Sequence, residues 1–451
     1  MQILQFIRTL KNPRFARLYL AQIINLMGDA LTWLGLALLA FELAGEKAGI
    51  ILSGALTLRV TAFVVFSPLA GVIADRFDRK LIMVITHLSR MMIVCLLPFV
   101  TQAWQIYVIV LALNVFYAFF TPTYTATIPL VTGQDEYPNA IALSSATYQL
   151  LGVLGPGLAG GAAALVGTRS VFFLNGMTFL IAAILLFTLP GNLMISGKLE
   201  WRQRQQEEGK ISKEIQDIRA ATACLFTDSS MRYVLMMQLV AAIAGAQILV
   251  NTVSYVQGTL GLGKVEYGWV MAAFGLGATL ASIGLGNSIR HYRKPILVRT
   301  GVILLTLSLL PANFAGFGWL LILWMIAGVG KTLVNLPAQV LIADRVSVES
   351  QGRIYGAHFA WSHLWWAFSY LIAGWMGNHL PTQSFFYSSV ISATLLIFVL
   401  LMLSREQETM SNNGLWHDHE HLHDEQHQHQ HSTPLMPYHG HIHYHPEAQA
   451  E

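Results

Sequence analysis

GVIADRFDRK, Gly71 to Lys80, joins two long apolar stretches, and a weaker copy, LGNSIRHYRK, Leu285 to Lys294, joins two more. Arg76, Arg79 and Lys80 match Arg290, Arg293 and Lys294 at an offset of 214, and Pro122 matches Pro337 at an offset of 215. Two agreeing offsets in separate segments predict one chain built from two similar halves. Outward from these loops the chain is 54% apolar and 11% charged, with a mean hydropathy of +0.53, which excludes an ordinary soluble enzyme.

Apolar stretches long enough to cross about 30 Å of hydrocarbon, at roughly 20 residues each, recur along the chain. Twelve are read, at 18–43, 48–74, 81–101, 104–129, 139–166, 168–190, 232–258, 264–289, 296–316, 318–343, 352–378 and 383–404. The fold class expected is therefore an all-α membrane protein: twelve transmembrane helices in two six-helix, pseudo-symmetric halves, followed by a disordered His-rich tail. The parts are an N-terminal half at 1–190, a connector at 191–231, a C-terminal half at 232–405 and the tail at 406–451. In the connector, Ile211, Ile215 and Ile218 fall at helical spacing and predict a short amphipathic helix along the membrane surface. MQILQFIRTLKNPRFARLY, at the start, has basic residues but no small-residue cleavage site ahead of the first span.

Positive charge orients the chain, because loops facing the cytoplasm retain Lys and Arg. With the amino terminus inside, 21 of the 27 basic residues fall in cytoplasmic segments, and Lys47, Arg169 and Lys264 fall outside. Arg59, Arg90 and Lys331 lie within spans. The expectation is a multi-pass protein of a bacterial inner membrane with both termini cytoplasmic. A net charge of +3 reports topology and gives no reason to invoke nucleic acid. Cys95 and Cys224 suggest neither a disulfide nor a thiolate metal site.

Eleven of the sixteen histidines lie in the tail, in WHDHEHLHDEQHQHQH and YHGHIHYH: His417, His419, His421, His423, His427, His429, His431, His439, His441, His443 and His445. Imidazole is mostly neutral near pH 7 and ligates Ni, Co, Cu and Zn ions. Alternate residues of an extended chain point the same way, so these histidines can converge on one ion, with Asp418, Glu420, Asp424 and Glu425 adding oxygen ligands. A solvated low-complexity segment is the plainer reading of the same composition, and the two are compatible.

The loop pattern resembles the signature of the major facilitator superfamily of secondary transporters, carried here by Gly71, Asp75, Arg76, Arg79 and Lys80. The resemblance implies a gating loop whose contacts break and remake during alternating access. GVLGPGLAGG in the fifth span is similar to the motif of that family's proton-coupled exporters. Gly152, Gly155, Pro156 and Gly160 match it, while Ala159 replaces an expected glycine. Joined to the His-rich tail, the whole resembles the nickel-resistance exporters of the NrsD and NreB type. That resemblance implies export of Ni²⁺, with Co²⁺, Cu²⁺ and Zn²⁺ as competitors, by exchange for protons, and requires no cofactor. The partners expected are the lipid bilayer, a metal cation and protons, and a monomer suffices.

Ionisable groups inside a membrane are costly and are functional suspects. Asp29, Arg59, Lys331, His358 and His363 are the candidates for the transport pathway and proton coupling. Asp29 is read either as a proton or cation acceptor or as the partner of Arg59 in a structural ion pair. His358 and His363, five residues apart, lie about 140° apart around a regular helix and cannot both face one ion. Two central cations repel a bare divalent ion, so the nickel reading needs Lys331 to stand in for a coupling ion or the metal to leave as an anionic chelate. Arg59 and Lys331 suit instead the alternative, an exporter of an organic anion such as a siderophore or drug with a regulatory tail. A non-transporting membrane sensor or store of metal is the third reading. No nucleophile motif, phosphate loop or nucleotide fold is present in the sequence, so the chain is not read as an enzyme.

Overall fold

The computed structural model describes residues 9–132, 165–189, 210–285, 292–346, 348–403, 415–422 and 438–445, together with scattered positions between 136 and 163. Its body is helical. The helices are α1 (Pro13–Ala44), α2 (Ala48–Arg76), α3 (Arg79–Val94), α4 (Ala103–Thr132), α5 (Ser170–Phe187), α6 (Lys210–Thr227), α7 (Ser229–Ser254), α8 (Lys264–Leu285), α9 (Lys294–Leu309), α10 (Phe317–Arg345), α11 (Val348–His379) and α12 (Ser384–Leu403). Eleven of these occupy spans read from the sequence, and α6 lies in the connector. Between α4 and α5, the described positions of the fifth span are helical as well, Gly155 and Gly160 among them. Nine stretches of the described residues are long and apolar enough to cross a membrane, and the first, Pro13–Phe66, holds α1 and most of α2.

Local chemistry sets the ends. Asn12 caps α1 by accepting from the backbone N–H groups of Arg14 and Phe15, and Pro13 supplies a pre-set φ at the first helical position. The helix stops at Gly45, whose φ of 56° is in the left-handed region that glycine adopts without steric cost. Asp78 caps α3 through Lys80 N at 2.9 Å, and Asp228 caps α7 through Met231 N at 2.9 Å. The polar cap Asn12 carries α1 back to Pro13, beyond its hydropathy limit, and α10 likewise runs on to Arg345.

Helices with no hydrophobic drive between them in lipid associate by close packing of small residues. Gly160 of the fifth span and Gly268 of α8 meet backbone to backbone: a Cβ on Gly160 would lie 2.6 Å from Gly268 Cα. This contact joins the two halves, and α2 packs on α11 across the same seam, with Phe63 and Phe359 at 5.6 Å between ring centroids. Large apolar side chains such as Ile283, Phe314 and Leu401 are exposed on the outside, as a lipid-facing surface requires.

The connector carries a helix where the sequence predicts one. It covers Lys210–Thr227, and its C-terminal part is buried against the protein: Ala221, Cys224 and Leu225 pack with Ile342 and Ile354, and Phe226 sits edge-on to Trp361 at 5.0 Å. The side chains of Ile211, Ile215 and Ile218 lie outside the described residues. Burial pushes the Cys224 thiol up from its ordinary value, and the nearby Asp228 carboxylate adds to the shift. In the tail, where a disordered segment is expected, β1 (Leu415–Leu422) pairs antiparallel with β2 (Tyr438–His445).

Candidate functional site

Asn25 and Asp29 are four residues apart and share one face of α1. Across from them α3 presents Arg90, whose residue is only 4% exposed. One guanidinium nitrogen donates to Asp29 Oδ1, the other donates to Asn25 Oδ1 at 2.7 Å, and Asn25 Nδ2 donates to Asp29 Oδ2 at 3.3 Å. The three side chains form a closed ring. Phe179 and Tyr117 flank the guanidinium at 4.2 and 4.9 Å from their ring centroids.

The partner of Asp29 is therefore Arg90, which corrects the expected Asp29–Arg59 pair. Arg59, on α2, lies instead over Trp33, 4.7 Å from the ring centroid, one turn along α1 from Asp29. Arg90 reaches both polar atoms of the Asn25–Asp29 face at once, and a planar guanidinium is suited to such two-point contact. Asp29, Trp33, Arg59, Arg90, Asn114 and Tyr117 all line one cavity inside the N-terminal half.

Lys331 of α10 comes from the other half. Its ammonium lies 5.3 Å from the ring centroid of Trp366 on α11 and 5.5 Å from that of Phe274 on α8. Arg59 and Lys331 approach the same seam from opposite sides, because their ring partners Trp33 and Trp366 both pack against one apolar cluster that contains Leu56, Val60 and Tyr370. His363 donates through Nδ1 to Phe359 O at 2.8 Å and stacks on that residue's ring, while His358 is buried with an unpartnered Nε2 among the described residues. The two imidazoles are held separately on α11.

In the loop motif, Arg79 donates to Ala126 O of α4 at 2.5 Å, and Lys80 donates to Leu189 O beyond α5 at 2.7 Å. Both contacts stay within the N-terminal half. Gly71, Asp75 and Arg76 fall in α2, with the side chains of Asp75 and Arg76 outside the described residues. Of the fifth-span motif, Gly155 faces Ala30 of α1, with 2.6 Å between a built Cβ and Ala30 Cβ, and Gly160 makes the contact with Gly268. Gly152 and Pro156 lie outside the described residues.

Two features, His87 and the contacts of Glu42, escaped the sequence reading. His87, fully buried one turn before Arg90, donates through Nδ1 to Met83 O at 2.8 Å and sits edge-on to Phe120. At the end of the bundle opposite the connector, Glu42 of α1 accepts from Lys264 of α8 at 2.7 Å and pairs with Arg169 at 3.6 Å, tying the halves together. Nearby, Asn251 of α7 donates to Ala373 O at 2.8 Å and to Gln247 Oε1 at 2.6 Å. Residues over a hundred positions apart meet there, and the only available signal was their charge or polarity within apolar surroundings.

Among the described residues no group of three His, Cys, Asp or Glu is placed to hold a metal ion. The strand register puts His417 opposite His443, His419 opposite His441 and His421 opposite His439, six histidine positions on one face of a ladder. His423, His427, His429 and His431 lie outside the described residues, and His445 stands opposite Leu415.

A helical bundle of two halves enclosing charged residues at their seam is the architecture of a secondary transporter. The family model of the Major Facilitator Superfamily matches residues 18–246 and 234–439, and the chain belongs to that family. It is 28% identical to the MFS-type transporter YfiS of Bacillus subtilis over 75% of this chain and 80% of that protein. It is 24% identical to the multidrug resistance protein MdtG of Citrobacter koseri over 64% of this chain and 69% of that protein. The multi-drug resistance efflux pump PmrA of Streptococcus pneumoniae matches at 30% identity over 29% of this chain and 33% of its own length. Among solved structures, a point mutant of the nucleoside transporter NupG superposes with a TM-score of 0.66 at 14% identity, covering 87% of this chain and 99% of that one. A bacterial homologue of the lysosomal transporter Spinster gives a TM-score of 0.66 at 13% identity over 88% and 96%.

Proposed function

We propose that the chain is a secondary exporter of organic molecules that works by proton exchange in a bacterial inner membrane, with both termini cytoplasmic. The observation that carries this reading is the composition of the central cavity. Its one acid among the described residues, Asp29, is already bound to Arg90 and Asn25, and two further cations and several aromatic rings complete the lining and the adjoining seam. A divalent ion needs hard or imidazole ligands gathered around it, and a cavity with excess positive charge repels it. Aromatic faces with a few fixed polar groups suit an organic ligand instead. The multidrug efflux proteins among the relatives support the same direction.

Asp29 is the proton-exchanging group in this reading. Its carboxylate is one-fifth exposed to the cavity, and a proton arriving there weakens its hold on Arg90. The gradient supplies the energy, the bilayer is the structural partner, and no cofactor takes part.

A second reading, export of Ni²⁺ or another divalent metal, is favoured by the histidine ladder of the tail. The two differ in an accessible assay. Cells lacking their own drug exporters are supplied with the intact chain, the Asp29→Asn variant or a chain ending at residue 404. They are then challenged with organic toxicants and with Ni, Co, Cu and Zn salts. Lower cellular content of an organic compound, lost with Asp29→Asn and kept by the truncated chain, supports organic export. Lower nickel content lost in both variants overturns it.

A further inference from the structure

Elsewhere in the described structure cations meet acids: Lys264 meets Glu42, Lys294 meets Asp344 and Arg345 meets Asp228. Arg59 and Lys331 do not. Neither has an ion-pair or hydrogen-bond partner among the described residues. Each is held only against ring faces, Arg59 over Trp33 and Lys331 over Trp366 and Phe274. They belong to opposite halves, and the rings that hold them, Trp33 and Trp366, pack against one apolar cluster built from both halves, Leu56 and Val60 with Tyr370 and Ala373. Two like charges facing each other across a low-dielectric seam are unfavourable unless something negative comes between them.

We propose that Arg59 and Lys331 are the two jaws of one site for an organic anion with a flat aromatic part, the anionic group lying between the cations and the ring against Trp33 and Trp366. The inference rests on the organic-export reading and narrows its substrate class. Trp366 is well fixed for this role, because its ring lies against Gly245 of α7, where no side chain displaces it. The site is divided between the halves, so an anion held by both draws them together at the centre of the bundle. A cation on one half alone would bind the anion without coupling it to any movement. Arg90, saturated by Asp29 and Asn25, stays with the proton.

The test uses two probes with the same rings, 8-anilinonaphthalene-1-sulfonate and its uncharged parent N-phenyl-1-naphthylamine. They are titrated against the full chain in discs of neutral phosphatidylcholine and followed by saturable quenching of tryptophan fluorescence. The sulfonate is expected to bind at least tenfold more tightly than the parent. Arg59→Gln and Lys331→Gln should each remove that advantage while leaving the parent's affinity unchanged, and Arg59→Lys and Lys331→Arg should restore it. The double Gln variant should be no worse than the weaker single one, because one lost jaw already breaks the bridge. Equal binding of both probes by the intact chain overturns the inference. So does equal weakening of both probes by the Gln variants, which is what a packing role for the two cations predicts. Export of neutral or cationic dyes that Arg59→Gln leaves intact also overturns it while organic export stands. Export of metal ions with no dye of any charge transported overturns the parent reading itself.

Discussion

Replacing Asp29 by Asn tests the proposed proton-coupling role of this residue most directly. The substitution keeps the shape and one carbonyl acceptor for Arg90 but removes the negative charge. Losing a buried charge partner outright costs about 3–5 kcal/mol. Here the loss is smaller, because Arg90 keeps Asn25 at 2.7 Å and the faces of Phe179 and Tyr117, and the Asp29 side chain is 21% exposed to the cavity. What disappears is one charge-assisted hydrogen bond, worth about 2 kcal/mol. Arg90→Gln should destabilise to a similar degree, leaving Asp29 as a half-buried carboxylate. If the two act on one interaction, the double variant should lose about 2–3 kcal/mol, well short of the roughly 4 kcal/mol expected from additive losses. Unfolding in mixed lipid–detergent micelles with increasing SDS, followed by tryptophan fluorescence, measures the cycle. Transport by reconstituted vesicles, with and without a pH gradient, measures coupling. Asp29→Asn should abolish the gradient's effect and retain downhill exchange. Strict additivity in the cycle, or gradient-driven transport at the wild-type rate in Asp29→Asn, would refute the assignment.

At the end opposite the connector, the Glu42–Lys264 pair is partly exposed, with side chains at 29% and 40%, so its screened contribution is about 0.5–1 kcal/mol. Glu42→Gln should raise labelling of a Ser53→Cys reporter by a charged thiol reagent only a few-fold, an effect lost near 1 M salt and reversed by the exchange Glu42→Lys with Lys264→Glu. Gly160→Val forces a branched side chain into Gly268 of α8. Transport should fall at least tenfold while membrane insertion, read by protein level in the membrane fraction, is unchanged. Cys224 is 2% exposed with its thiol shifted up, so in a Cys95→Ser chain maleimide should react with it slowly from pH 7 to 9. Because the folded state favours the neutral thiol, its stabilising effect is complete below the unfolded thiol's ordinary range and declines as pH rises through it, so labelling should accelerate toward pH 10.

The helices were legible because each buries or exposes a long apolar stretch, a property of composition that survives ignorance of the partners. The two-half plan was legible for a different reason: the repeated basic loops at Gly71 to Lys80 and Leu285 to Lys294 mark equivalent turns. Partnership was not legible. Arg59 and Arg90 both lie in spans, and nothing in their neighbourhoods along the chain says which rotates toward Asp29. That depends on how α2 and α3 turn against α1, which is settled by contacts such as Arg90 with Asn25 and Arg59 with Trp33. Likewise Arg169 and Lys264 read simply as charges at the outer ends of spans, yet both turn to Glu42.

The placement of charge suggests how one small carboxylate can govern a large movement. The proposed proton site, Asp29 with Arg90 and Asn25, lies wholly within the N-terminal half, whereas the proposed clamp of Arg59 and Lys331 draws on both halves. Trp33 sits on α1 one turn from Asp29 and carries Arg59 on its face, so the two sites share a helix and a cavity wall. A proton on Asp29 frees Arg90, adding net positive charge to a cavity that already holds Arg59, and this strengthens attraction for an anion. Loss of the proton lets Asp29 reclaim Arg90 and weakens that attraction. Protonation and anion binding would then favour one another, which is the coupling of a symporter when both enter from the same side. Exchange in opposite directions requires instead that the proton enter only after the anion has left. The order of access therefore decides the direction of transport, and the linkage itself is read from the anion affinity of the intact chain at two pH values: raised affinity at low pH supports it, and no change with pH refutes it.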